Sequence, residues 1–371
     1  MVPDHADPVG GLAAPDGRLI VTGVSLRNFR SYARLELELQ PGLVLVTGPN
    51  GAGKTNLLES LHVGTQGFSP RTRTEAQLLR FDTDTGRIAL RGTRGPTPVE
   101  IAVALAAGDA KRATLNGATL KASEQLRNEV ATLVFTPDRL AIVKGGPAVR
   151  RAYFDRAYGR LFPARATLSA EYAAAVGQRN AALRRVGAGY SSREALSPWT
   201  QQVAELGAAL VEARLQTLAL LAPGFADRAD ELGLPGARLE YEGEVPTVEA
   251  LFARLDRDLE RGATGIGPHL HDVQLLSQSR DLRSFGSQGE QRLTVLALLL
   301  AEADLIADRR GYPPLLLLDD VLSELDPARR RTLAERVAAR GQTLITSTTA
   351  AALPVEPSQL LEVTPGEVTT A

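Results

Sequence analysis

The chain has 371 residues, is 44% hydrophobic and carries a formal net charge of -1, which is enough length for two cores or for one core with a large insertion. A charge this close to zero confines any nucleic-acid contact to a local basic patch, and the absence of cysteine excludes disulfides and thiol chemistry. No apolar run reaches the roughly 18 residues of a membrane span, because Glu212, Arg214, Glu302 and Asp304 interrupt the leucine-rich segments; with a start at Asp4, His5 and Asp7 unlike a signal peptide, composition points to a soluble, cytoplasmic protein outside the membrane.

Residues 1 to about 16 offer little to bury and read as a disordered tail. Arg18 to Leu26 and Leu35 to Leu39 alternate as strands, the second ending at the turn Gln40-Pro41-Gly42, and Leu43 to Thr47 is a β-branched apolar run. Next comes Gly48-Pro49-Asn50-Gly51-Ala52-Gly53-Lys54-Thr55, which fits G-x-x-x-x-G-K-[ST], and the helical spacing from Asn56 to His62 completes strand, loop, helix. In such a loop, backbone N–H groups turn onto phosphates, Lys54 reaches the β- and γ-phosphates of ATP, and the Thr55 hydroxyl ligates Mg²⁺.

Ser69 to Thr74 reads as a polar loop with Arg71 and Arg73 solvated. Arg87 to Leu90, Val99 to Ala106, Arg112 to Leu115 and Ala118 to Leu120 read as strands of an antiparallel meander, the last two joined at Asn116-Gly117. From 148 to 260 the pattern is mostly helical, with Ser197 as an N-cap before Pro198 and a stripe of Val203, Leu206, Leu210 and Ala213.

Ser287-Gln288-Gly289-Glu290 has the spacing of a capping box and opens an apolar helix from Leu293 to Ala307. A capped N-terminus of this kind also presents free N–H groups to an anion. Leu315 to Leu318 reads as a strand buried on both faces, and it ends in Asp319-Asp320, where strand ends of an open α/β sheet gather ligands. Asp326-Pro327 starts a further helix and Thr343 to Thr346 is the next strand; nothing is read after Pro354.

Leu26 to Tyr32, Val134 to Pro147 running on into Arg150 to Asp155, and Tyr172 with Gln178 to Leu183 together resemble the RecF family, DNA-repair ATPases related to SMC proteins and ABC-type ATPases. The resemblance implies an α/β fold: an ABC-type ATPase head, a P-loop NTPase with mixed sheets, built from 17–147 plus 261–371, with 148–260 as an inserted helical lobe too short for a coiled-coil arm. Ser69 to Thr74 is similar to the family segment over the nucleotide. By the resemblance, ATP is held by Gly48 to Asn56 of one subunit and closed over by Ser287, Gln288, Gly289 and Glu290 of another, with Lys54, Asp319 and Asp320 catalytic. Asp319 resembles the Walker B acid that holds Mg²⁺ with Thr55; Asp320 stands where ABC-type enzymes commonly carry the glutamate that positions water, which implies slow turnover. Ser323-Glu324-Leu325-Asp326 resembles the D-loop.

Family membership implies an ATP-dependent homodimer on DNA, contact with RecR, assistance to RecO and RecA, and a part in the SOS response. Basic groups for phosphate contacts are Arg71, Arg73, Lys111, Arg112, Arg139, Lys144, Arg150 and Arg151, giving sequence-independent binding to duplex or gap junction. Two positions depart from the family: Leu270-His271-Asp272 follows Gly267-Pro268-His269 where Arg-Asp-Asp is usual, and Ser347-Thr348 replaces the switch histidine of many ABC-type proteins. A transporter ATPase subunit, which would carry two consecutive glycines in its signature, and a nucleotide-binding scaffold with incidental hydrolysis are the competing readings.

Overall fold

The computed structural model describes residues 19–72, 74–323 and 325–371; the tail at 1–16, Arg73 and Glu324 lie outside the described residues. In chain order the first part of the fold is β1 (Leu19–Phe29), β2 (Tyr32–Glu38), β3 (Leu43–Thr47), α1 (Lys54–Gln66), β4 (Thr85–Arg94), β5 (Thr97–Ala106), β6 (Arg112–Leu115), β7 (Ala118–Thr119), α2 (Leu126–Glu129) and β8 (Thr132–Phe135). The middle holds α3 (Ala141–Lys144), α4 (Pro147–Leu161), α5 (Leu168–Gly187), α6 (Ser197–Glu231), β9 (Ala237–Glu242), α7 (Val248–Ala253) and α8 (Leu255–Arg261). The last part is β10 (Asp272–Ser277), β11 (Arg280–Asp281), α9 (Leu282–Phe285), α10 (Gln288–Arg310), β12 (Leu315–Leu318), α11 (Pro327–Ala338), β13 (Thr343–Ser347), β14 (Gln359–Thr364) and β15 (Glu367–Thr370).

An antiparallel sheet runs β2-β1-β4-β5-β6-β7, and a mixed sheet runs β15-β14-β3-β13-β12-β8. Strands with alternating burial, such as β4, build the first; uninterrupted apolar strands build the second, because both of its faces are covered. Along β12, Leu316 and Leu318 enter one core with α4, α6 and α10, while Leu315 and Leu317 enter another shared with the antiparallel sheet and α1. Two buried glutamines tie the layers: Gln342 donates to the carbonyls of Val21 and Gln40 and accepts from the Val21 N–H, and Gln359 donates to the Glu38 carbonyl.

The Asn116-Gly117 turn has both residues at positive φ, 48° and 81°, the backbone that closes a two-residue hairpin. Past Pro354, where the sequence suggested nothing, the antiparallel pair β14 and β15 extends the mixed sheet beside β3.

Within 148–260, Tyr172, Ala175, Val176, Val203, Ala204, Leu210 and Leu251 form a separate small core. Helix α4 and the C-terminal half of α6 instead pack into the large core, through Phe154, Leu221 and Phe225 among others. Strand β9 pairs with β10, which lies beyond residue 260, in a sheet ordered β11-β10-β9. Ser197 is the first helical residue of α6 and not its N-cap, which is Leu196, because a 3-10 turn over Arg193–Leu196 already sets helical backbone before it. Among the described residues, the segment Arg193–Glu231 alone is long and apolar enough to cross a membrane. Its apolar face is spent on the two cores, and Arg214 at its middle is buried against Asp155.

Candidate nucleotide site

Strand β3 delivers the chain into a loop whose glycines are required by its backbone. Gly48 has φ 147° and would place a Cβ 2.2 Å from the Val363 carbonyl oxygen. Gly53 has φ 118° and would place one 2.9 Å from the Tyr32 hydroxyl oxygen. No side chain caps α1 at Gly53, so the positive end of that helix and its first N–H groups are left to a ligand. Pro49, Asn50 and Gly51 are exposed, whereas the Ala52 methyl turns into the core, leaving that residue to act through its backbone.

Lys54 is 9% exposed, and its ammonium donates to the carbonyls of its own loop, Gly48 at 2.6 Å and Pro49 at 3.0 Å. Burial lowers its pKa, with Asp319 and Asp320 opposing that shift. An ammonium held only by neutral carbonyls is charge waiting for an anion, and phosphate oxygens are the stronger acceptors.

Asp319, at the end of β12, is 6% exposed and accepts the Thr55 hydroxyl at 2.9 and 3.0 Å and the Thr346 hydroxyl at 2.8 Å. Burial raises its pKa; the two threonine bonds oppose that shift, and Asp320 adds to it. The Thr346 oxygen also accepts the Asp320 N–H at 2.8 Å. Asp320 has φ 49°, a left-handed backbone that an aspartate tolerates better than most residues, and it begins a turn closed by the Ser323 hydroxyl on its carbonyl.

The loop is braced from the β1–β2 turn. Tyr32 donates to the Gly53 carbonyl at 3.0 Å, and Ser31 accepts from the Asn56 amide at 3.0 Å. Asn56 thus bridges Ser31 and Arg71, which donates to its oxygen at 3.2 Å. Buried Glu59 on α1 gathers Arg30 in a two-bond fork, Arg71, and the Ser69 hydroxyl. The loop from Ser69 is therefore pinned to α1, and Arg71, expected to be solvated, is held by Glu59 and Asn56. Tyr32, Glu59 and Thr346 were not singled out as site residues; the only sequence signal for Thr346 was its place at the end of a strand beside the Asp319 strand.

Ser287 and Glu290 form the complete capping box, Glu290 N–H to Ser287 Oγ at 3.2 Å and Ser287 N–H to the Glu290 carboxylate at 2.7 Å, which holds Glu290 below its ordinary pKa. Ser287, Gln288 and Gly289 are exposed. Among the described residues, no hydrogen bond or ion pair joins these four to Gly48 through Asn56 or to Asp319 and Asp320.

The basic candidates separate. Arg150 is 3% exposed and forked onto Asp272 at 2.8 and 2.6 Å, so it is a structural ion pair and is withdrawn as a DNA contact. Arg151 donates to the His271 carbonyl, and Lys111 is paired with Glu75. Arg112 and Lys144 are exposed. At Leu270-His271-Asp272, Leu270 is exposed, His271 pairs with the Tyr241 hydroxyl at 2.8 Å, and Asp272 accepts the Arg150 fork.

Residues 20–370 match the RecF/RecN/SMC N-terminal domain family. The chain is 35% identical over 342 residues to the DNA replication and repair protein RecF of Heliobacterium modesticaldum, covering 88% of this chain and 92% of the relative. It is 39% identical over 344 residues to RecF of Anaeromyxobacter sp. (strain K), covering 87% of this chain and 91% of the relative. This chain belongs to the RecF family. A solved RecF–ATP structure of the RecFOR pathway superposes with a TM-score of 0.85 at 26% identity, covering 96% of this chain and 98% of that one. An Smc head bound to the C-winged helix domain of ScpA shares the fold, with a TM-score of 0.57 at 15% identity, covering 95% of this chain and 96% of the other. The RecF-family head is therefore an ABC-type ATPase head with mixed sheets.

Proposed function

We propose that this chain is an ATP-switched DNA clamp of recombinational repair and the SOS response. It binds ATP with Mg²⁺, dimerises on ATP at gapped or damaged DNA, hydrolyses ATP slowly as a weak DNA-dependent ATPase, and helps RecO and RecR load RecA. The RecF–ATP structure and the names of the relatives support the nucleotide and repair parts of this reading. In it, Gly48 to Asn56 cradle the phosphates, Lys54 exchanges its loop carbonyls for phosphate oxygens, and Asp320 positions water. The Thr55 hydroxyl and the Asp319 carboxylate, already in contact, are the pair that would hold Mg²⁺. The ion would neutralise charge that develops on the phosphates.

The observation that carries the clamp is the isolation of the Ser287–Glu290 helix start. It is capped, exposed at Ser287, Gln288 and Gly289, and among the described residues without a bond to the nucleotide loop of its own chain. A helix end that carries free N–H groups and is reached by no group of its own chain's nucleotide loop fits a partner's γ-phosphate. Light scattering tests this, without nucleotide, with ADP, and with ATP and Mg²⁺, each with and without gapped duplex. A mass that doubles only with ATP, together with tighter DNA binding, is the expected result; a mass indifferent to ATP overturns the clamp.

A further inference from the structure

A cavity of about 650 Å³ opens between the C-terminal half of α1, the turn after β8, helix α4 and the start of α5. Four guanidinium side chains line it, Arg127, Arg139, Arg156 and Arg160, and the carboxylates at hand are already engaged. Asp155 is forked by Arg214 at 2.7 and 2.9 Å, and Glu302 is bound by Arg160 and by the Tyr153 hydroxyl. The guanidinium groups of Arg139 and Arg156 make no ion pair or hydrogen bond among the described residues, and one buried nitrogen of Arg160, Nη2, has no partner. His62, which also lines the cavity, adds no charge near neutral pH, because burial pushes its pKa down to about 3. Burial brings the Arg139 guanidinium down to about 10, with Arg160 the next contributor.

Guanidinium groups crowded at a cavity wall whose nearby carboxylates are already engaged repel one another, Arg160 acting on both Arg139 and Arg156, and an anion seated among them relieves that repulsion. Planar guanidinium forks that line one cavity suit an anion with more oxygens and more charge than a carboxylate. We propose that this cavity is a second anion site, which binds a phosphate group of a free polyphosphate-class anion or of a nucleic-acid strand. It is distinct from the Gly48–Thr55 loop: His62 lies 8 positions beyond Lys54 on α1, about 12 Å along the helix.

The test uses full-length Lys54→Met protein, in which the nucleotide loop is disabled, titrated calorimetrically in Mg²⁺-free buffer. The probes are inorganic pyrophosphate and a short oligonucleotide with and without a 5′-phosphate. The expected result is saturable binding of at least one phosphate probe, weakened at least about tenfold by Arg139→Gln with Arg156→Gln. Pyrophosphate binding assigns a free anion; binding of the oligonucleotide alone assigns a strand phosphate. Arg156 is exposed at the rim, so Arg156→Gln alone carries the test if the double variant fails to fold. No binding of either probe, or binding unchanged in the arginine variants, overturns the proposal. Retained ATP binding by Lys54→Met would count separately, against the assignment of the loop.

Discussion

The Thr55 hydroxyl lies 2.9 Å from one carboxylate oxygen of Asp319 and 3.0 Å from the other, across 264 positions of sequence. Thr55 lies in the first turn of α1 and Asp319 directly follows β12, and the parallel order β3-β13-β12 brings them together with only one strand between. An acid in that position is buried before any metal arrives, which has measurable consequences.

Burial raises the Asp319 pKa above 3.8. Between 3.8 and the raised value the folded chain keeps a proton that the unfolded chain has released. That contribution to stability is complete below 3.8 and is lost as pH rises through the folded pKa. Asp319→Asn removes it, so in nucleotide-free melts the variant gains stability relative to the parent as pH rises from acid to neutral. Parallel melting curves across that range would refute the assignment. With ATP and Mg²⁺, the same variant should lose turnover by at least about 100-fold, since a metal's charge stabilisation is worth several kcal/mol.

Lys54→Met should abolish ATP binding and dimerisation together, because it removes a buried ammonium at the loop on which Asp319 and Asp320 both act. Ser287→Arg should leave ATP binding by the monomer intact and block dimerisation, while losing the cap costs about 1 kcal/mol of stability. Nucleotide binding by filtration and mass by light scattering separate the two outcomes. If both variants dimerise normally with ATP, the composite site is wrong.

Tyr32→Phe deletes the bond to the Gly53 carbonyl and should cost about 1 kcal/mol in denaturant unfolding, with a several-fold weaker ATP affinity. Gly53→Ala should do worse, since φ 118° strains any side chain there and its Cβ would meet the Tyr32 hydroxyl; about 1–3 kcal/mol is expected. An Ala variant with native ATP affinity would show that the loop's geometry is not what the glycine serves.

Glu59→Gln takes the shared carboxylate from Arg30 and Arg71, whose side chains are 20% and 35% exposed. Because water reaches both arginines, the loss should be about 2 kcal/mol, below the 3–5 kcal/mol of a wholly buried pair. Proteolysis after Arg71 should speed up as the loop detaches from α1. Unchanged cleavage would mean that the loop is held elsewhere.

DNA binding through Arg112 and Lys144, the exposed candidates, should weaken steeply between about 50 and 200 mM salt, and each charge-removing substitution should lower the logarithmic salt slope by about 0.9 if it contacts a duplex phosphate. A binding constant flat across that range would remove phosphate contacts from the model of the clamp.

Much of the head was legible in the sequence because it is written in contiguous stretches. Leu43 to Thr47 and Leu315 to Leu318 are apolar runs of the kind a doubly covered strand carries, and both are strands with the same limits in the structure. Asn116-Gly117 announced its turn, and Ser287 with Glu290 announced its cap, since each needs only neighbours within a few residues. The pair β14 and β15 was missed although Pro365-Gly366 offered a turn between two short apolar runs; the strands are too short for their pattern to stand out. What only the tertiary structure decided is partnership. Arg150 reads as a surface cation until Asp272, 122 positions away, is placed against it. Tyr32 stands in the sequence only as the end of the Leu26–Tyr32 stretch until the hairpin turn lays its hydroxyl on Gly53, and four scattered arginines become one cavity wall only when α1, α2, α4 and the turn after β8 converge. A ligand's demands on one loop are local and leave a spaced motif, whereas the partner of a side chain depends on which distant elements pack beside it, and that is settled by burial of the whole core.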